Sequence, residues 1–178
     1  MKMRESPPSA AKFDSARVAK LMEGIGRCLC IYQRIETYLK LLLPHIVPVV
    51  PQVTEQPVLH WRSLLDSKAT LGALVQQFRD RMNSGNPEGF AKYLEELVNQ
   101  RNDLIHHFFV QPVGQVKTDA DLEKAIDHIR GLMKFATPFE RALREITSQF
   151  AVAIEQSILD EQPLSQNLQS TGSGTDAR

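Results

Sequence analysis

Cysteine is almost absent from this sequence, with Cys28 and Cys30 the only two in 178 residues. They are two apart in a helical pattern, where side chains point about 200° from each other, so they cannot bridge. No second cysteine pair or regularly spaced histidine pair completes a zinc site. The thiols are therefore read as buried and inert, and no metal or cofactor is expected. An excess of either charge is also missing, since Lys+Arg and Asp+Glu both total 21. Proteins that grip long nucleic acids through their phosphates carry a basic surplus, so any RNA or nucleotide must be held at a local site. Long apolar runs are lacking too. MKMRESPPSAAK at the N-terminus has no apolar core and does not read as a secretory signal. The most apolar stretch, YLKLLLPHIVPVVPQV, is broken by Lys40, Pro44, Pro48 and Pro51. The expectation is a cytoplasmic protein with no membrane span.

What the sequence does contain is helical periodicity, without convincing two-residue alternation. Residues 1–13 and 160–178 read as disordered; the tail EQPLSQNLQSTGSGTDAR is polar and rich in Gly and Ser. Residues 14–159 read as one all-α domain, an up-down bundle of four to five helices. Helix one starts at a cap on Asp14 or Ser15 and runs to Leu43, where Pro44 stops it. Its stripe is Leu21, Ile25, Leu29, Tyr32, Leu39 and Leu43. Gly24 and Gly26 allow close helix contact and form no phosphate loop. A Pro-rich crossover follows, in which LHWRSLL has room for a helical turn or two. Helix two covers 67–82, with Leu71, Leu74, Val75, Phe78 and Met82 on one face. Asn86 followed by Pro87 marks the start of helix three, which continues to Phe109. Thr118 with Asp121 caps the next helix. Its stripe runs from Leu122 through Ile126, Ile129, Met133, Ala136, Leu143, Ile146, Phe150 and Ile154 to Ile158. At Thr137-Pro138-Phe139-Glu140 this helix either kinks or a new one begins.

Two charges lie on apolar stripes. Arg101 falls within the helix-three ridge of Leu94, Leu97, Leu104 and Phe108. Glu36 falls within the helix-one ridge of Leu29, Tyr32, Leu39 and Leu43. An unpaired buried charge is strongly disfavoured. The two are therefore expected either to meet as an interhelical ion pair or to border one cleft. Asn102 and His106, four apart, share a face with Asn99 beside the ridge, and His107 belongs with Gln100 and Asp103 on the next face. One strip thus carries Arg101, Asn102 and His106.

The stretch RNDLIH, 101–106, resembles the motif of the HEPN superfamily, an arginine followed by a polar residue and then by a histidine after four to six intervening positions. His107 fits the longer spacing, and Glu36 in QRIETYLK suits the acidic residue of the family's first long helix. The resemblance covers about residues 15–158. It implies a helical bundle, commonly a homodimer with facing motifs. It also implies metal-independent endoribonuclease activity of a toxin or defence effector, with an antitoxin or regulatory protein as a possible partner. In that chemistry the 2′-hydroxyl of RNA attacks phosphorus to leave a 2′,3′-cyclic phosphate. His106 moves the proton and Arg101 offers a charged fork to the phosphate. Asn102 hydrogen-bonds phosphate or orients His106, Glu36 holds Arg101, and His107 is an auxiliary proton-transfer group or a surface residue. The alternatives are a non-catalytic module of the same type that binds a nucleotide or protein partner, and an unrelated helical interaction protein.

Overall fold

The computed structural model describes residues 14–46, 67–82 and 85–160. The fold is all-α. Among the described residues there are four α-helices and no strand: α1 (Ser15–Ile46), α2 (Leu71–Arg79), α3 (Pro87–Asn102) and α4 (Asp119–Asp160). Of the disorder expected of residues 1–13 and 160–178, Asp160 is instead the last residue of α4; the rest, like the crossover beyond Ile46 and the LHWRSLL stretch, falls outside the described residues. No helix among the described residues is long and apolar enough to cross a membrane.

Helix starts follow local chemistry. Asp14 Oδ1 accepts from the backbone N–H of Ala16 at 3.0 Å, which settles the choice of cap for α1. Thr70 caps α2, so this helix begins at Leu71 rather than at 67, and it ends at Arg79. Met82 lies beyond it and is exposed. Asn86 caps α3 by accepting from Gly89 N, with Pro87 at the first position, where no backbone N–H is needed. Thr118 and Asp121 form a reciprocal box at α4. Thr118 Oγ1 accepts from Asp121 N at 3.2 Å, and Asp121 Oδ2 accepts from Thr118 N at 3.0 Å. The Thr118 hydroxyl also donates to Asp121 Oδ2 at 2.8 Å, and this bond first, with the backbone N–H groups of Lys117 and Thr118 as smaller influences, holds the Asp121 carboxyl below its ordinary range.

Two prolines expected to punctuate the chain do not end helices. Pro44 lies inside α1, which continues to Ile46 rather than stopping at Leu43. Pro138 lies inside the single helix α4. A proline removes one helix hydrogen bond and crowds the carbonyl four residues earlier. Around Pro138, buried Leu132, Ala136, Phe139 and Leu143 anchor the helix on both sides, and their packing offsets that loss.

The core lies between α1 and α4, which make the most extensive interhelical contact. Helix α2 packs on both α1 and α3. Gly24 sits at that main interface, where an added Cβ would approach Ile129 Cγ2 to 3.1 Å. Gly26 has nothing within 4 Å and plays no such part. The buried side of α1 is Leu21, Cys28, Ile31, Tyr32, Ile35, Leu39, Leu42 and Leu43. This face is rotated from the expected stripe, for Ile25 and Leu29 are only partly buried. On α4 the expected stripe is likewise displaced at its end, with Phe150 exposed and Phe139 buried. One thiol goes in and one goes out. Cys28 is fully buried, and burial pushes its pKa up to about 11, whereas Cys30 is exposed. The expectation that both are buried fails for Cys30, because residues two apart on a helix face different sides.

One ion pair was not foreseen. Glu140 is buried, and Arg34 Nε donates to its Oε1 at 3.1 Å, joining α1 to α4. Without Arg34 the carboxylate would be left unpaired in the core, so this contact holds the two helices in register.

Candidate functional site

Helix α3 buries Leu94 and Leu97, and the ridge continues through Leu104 and Phe108, as its periodicity required. Arg101 falls on that ridge and is half-buried. Beyond Asn102 the helix changes geometry. Asp103–His107 form a π turn, where an uninterrupted α-helix to Phe109 was expected. In an α-helix, positions five apart are about 140° apart around the axis. A π turn closes its hydrogen bonds between residues i and i+5, which brings such positions toward a common side. Arg101 and His106 have that spacing, so the π turn narrows their angular separation.

The turn is anchored behind the motif. Phe108 is buried, and its ring stacks on His128 of α4 with centroids 6.4 Å apart. The chain then reverses. Val110 N and Gln111 N both donate to His107 O, at 3.0 and 2.9 Å, and a short 3-10 turn follows at Pro112–Gly114. Gly114 passes so close to the chain reversal that a Cβ there would stand 1.9 Å from Phe108 O. Only glycine fits this approach.

Arg101 Nη1 donates to Asn102 Oδ1 at 3.1 Å, so Asn102 steadies the guanidinium. Among the described residues no carboxylate pairs with Arg101. Glu36 is paired instead with Lys40, at 3.2 Å. Lys40 Nζ also donates to Ser67 O at 3.0 Å, tying α1 to the residues before α2. Glu36 and Arg101 nonetheless line one cleft of about 410 Å³ between α1 and α3, together with Leu29, Tyr32, Gln33, Thr37 and Ile105. Of the two arrangements expected for these charges, the shared cleft is the one observed. Glu36 stands beside the apolar core rather than within it, because Ile35 takes the buried position. The part expected of Glu36, holding Arg101, falls to Asn102 in this structure.

Tyr32 closes the inner wall of the cleft. It is buried, and its hydroxyl has no hydrogen-bond partner among the described residues. Burial, with the nearby Cys28 a smaller influence, holds that hydroxyl protonated far above the ordinary phenol range. His106 and His107 are both exposed, their rings 6.1 Å apart and tilted edge to face. Asn99, expected to share a face with Asn102 and His106, lines a separate groove with Val75, Gln76 and Arg79 of α2. Next to the histidines the surface is apolar, for Ile105, Phe109 and Val110 are exposed, the last two by 64% and 68%. Among the described residues no group of three His, Cys, Asp or Glu side chains is placed to hold a metal ion.

The chain was compared with protein-family models, with curated proteins and with solved structures, and none matches.

Proposed function

We propose that this protein is a HEPN-type endoribonuclease that acts without a metal, with Arg101 and His106 as its catalytic residues. The observation that supports this most is the state of Arg101. It is half-buried, free of any carboxylate among the described residues, steadied by Asn102 and directed to a cleft. A half-buried guanidinium with one hydrogen bond and no acid partner keeps further donors open, and a phosphate oxygen is a ligand suited to accept from them. His106 is carried on the adjoining π turn, a feature common at functional sites.

The reaction uses the RNA's own 2′-hydroxyl. His106 takes its proton as the 2′-oxygen bonds to phosphorus, and Arg101 balances the charge that accumulates on the phosphorane. The bond to the 5′-oxygen then breaks, and that oxygen departs as a hydroxyl, receiving the proton that His106 took from the 2′-hydroxyl and so returning the imidazole to its starting state. The products are a 2′,3′-cyclic phosphate and a 5′-hydroxyl. A single copy offers few groups to hold RNA. Exposed Ile105, Phe109 and Val110 beside the motif provide an apolar border through which two copies would face each other as a homodimer. In the cell such an enzyme would act as a toxin or defence effector restrained by an antitoxin protein.

The alternative reading is a non-catalytic module that binds a nucleotide or a protein partner. It is favoured by one observation, that His106 has no hydrogen bond to orient its ring among the described residues. Incubation of the purified wild-type chain with total cellular RNA is expected to give fragments, and intact RNA would transfer support to the alternative. Sedimentation at micromolar concentration should show a dimer, and Phe109→Asp should shift it toward monomer. A wild-type monomer under those conditions would contradict the proposed facing of two copies.

A further inference from the structure

The cleft that holds Arg101 is larger than one phosphate requires and has a second, different pole. About 410 Å³ is within the range of pockets that take small organic ligands. Its lining is mixed in chemistry on both elements. From α1 come apolar Leu29, the Tyr32 ring and polar Gln33 and Glu36, and across from them Ile105 stands four residues beyond Arg101. Arg101 suits a phosphate, but a phosphate does not need Glu36, and a carboxylate would repel it.

An ionised carboxylate only accepts hydrogen bonds, through two oxygens with about four lone-pair sites. Lys40 takes one of these at Oε1. The other oxygen has no partner among the described residues, and Glu36 retains 27% exposure. What complements this group is a flat ligand edge with two adjacent donors. Among the RNA bases only guanine has one, with N1–H beside its N2 amino group. Adenine and cytosine place a ring acceptor beside their amino group, and uracil has a single N–H between two carbonyls. Single-stranded RNA is commonly read through these Watson–Crick edges, with the base face packed on a side chain.

We propose that the cleft between α1 and α3 is a base-reading subsite, in which Glu36 selects guanine while Arg101 holds the adjoining phosphate. The inference rests on the ribonuclease reading, since it supplies the base that the site reads in its RNA substrate. In this arrangement Leu29 and Ile105 pack against the base, and the Gln33 amide offers a donor to O6. Lys40, with a side chain only 12% exposed, holds Glu36 in place.

The test is equilibrium binding of the full chain to guanosine, adenosine, cytidine and uridine 3′-monophosphates, each measured separately by calorimetry. The guanosine nucleotide is expected to bind at least about tenfold more tightly than the other three, the discrimination ordinarily supplied by one bidentate base contact. Glu36→Gln, which places an amide donor against the base donors, should remove that preference without weakening adenosine monophosphate. Arg101→Ala should weaken all four alike. Equal binding of the four nucleotides by the wild type overturns guanine selection, whatever the variants do. If RNA is still cleaved in that case, the nuclease reading stands and only the base assignment falls. If no nucleotide binds and RNA remains intact, both fall.

Discussion

His106→Ala is expected to abolish RNA cleavage while leaving the fold unchanged. The side chain is exposed and lies off the ridge of Leu94, Leu97, Leu104 and Phe108, so its removal opens no cavity in the core. Removal of a general acid–base group costs a factor of about 10²–10⁴ in rate, enough to carry slow cleavage below detection. Arg101→Ala should reach a similar loss by another route, through the unbalanced charge of the phosphorane. That variant should also melt differently from the wild type, since Arg101 is half-buried and steadied by Asn102. His107→Ala should do less than either. Rates from end-labelled RNA, with thermal melting of the same preparations, decide the matter. Equal rates for wild type and His106→Ala would remove the histidine from the mechanism.

Gly114→Ala is expected to lower stability more than any change in the exposed motif. The added Cβ would fall 1.9 Å from Phe108 O, and the atoms it meets are backbone rather than the yielding tip of a side chain. Relief requires the reversal after Phe108 to open. That would disturb the hydrogen bonds from Val110 N and Gln111 N to His107 O, and the stacking of Phe108 on His128. Overpacking of this kind costs about 1–3 kcal/mol or somewhat more, a fall of several degrees in Tm for a chain of this size. Because the same reversal anchors the π turn, RNA cleavage should fall together with stability. Gly26→Ala, where a Cβ meets nothing within 4 Å, is the control and should melt no lower than the wild type. A Gly114→Ala protein with wild-type melting would show that the close approach does not exist in solution.

The contrast between these glycines shows what the sequence could and could not disclose. Caps at Asn86 and Thr118 were legible because each is marked by a near neighbour in sequence, Asn86 by Pro87 directly after it and Thr118 by Asp121 three positions on. The α3 ridge was legible for a similar reason. It has one apolar face, so its phase is unambiguous, and Arg101 lies on it as the spacing required. Helix α1 was harder, because apolar residues occur on more than one side. Ile25 and Leu29 compete with Cys28, Ile31, Ile35 and Leu42, and only packing against α4 selects the second set. The same ambiguity put Glu36 on the core ridge, whereas it lies beside it, paired with Lys40.

The contact between Arg34 and Glu140 spans 106 positions, and no local pattern pairs them. Glu140 follows Thr137 and Pro138 at cap-like spacing, which hid its place in the core. The π turn was equally hidden. It changes the hydrogen-bond register within an unchanged run of residues, and the anchors that hold it, His128 and Gly114, lie on later parts of the chain. Of the candidate site, the residue types and the cleft shared by Glu36 and Arg101 were foreseeable. The partner of each charge was not.

The central claim is that Arg101 and His106 cleave RNA through its own 2′-hydroxyl, without a metal. It is tested most directly by incubating the wild-type chain with 5′-labelled RNA in excess EDTA and determining the chemical ends of the products. Undiminished cleavage is expected, with each upstream fragment ending in a 2′,3′-cyclic phosphate and each downstream fragment beginning with a 5′-hydroxyl. Cleavage that stops in EDTA, or that leaves a 5′-phosphate and a 3′-hydroxyl, would contradict it.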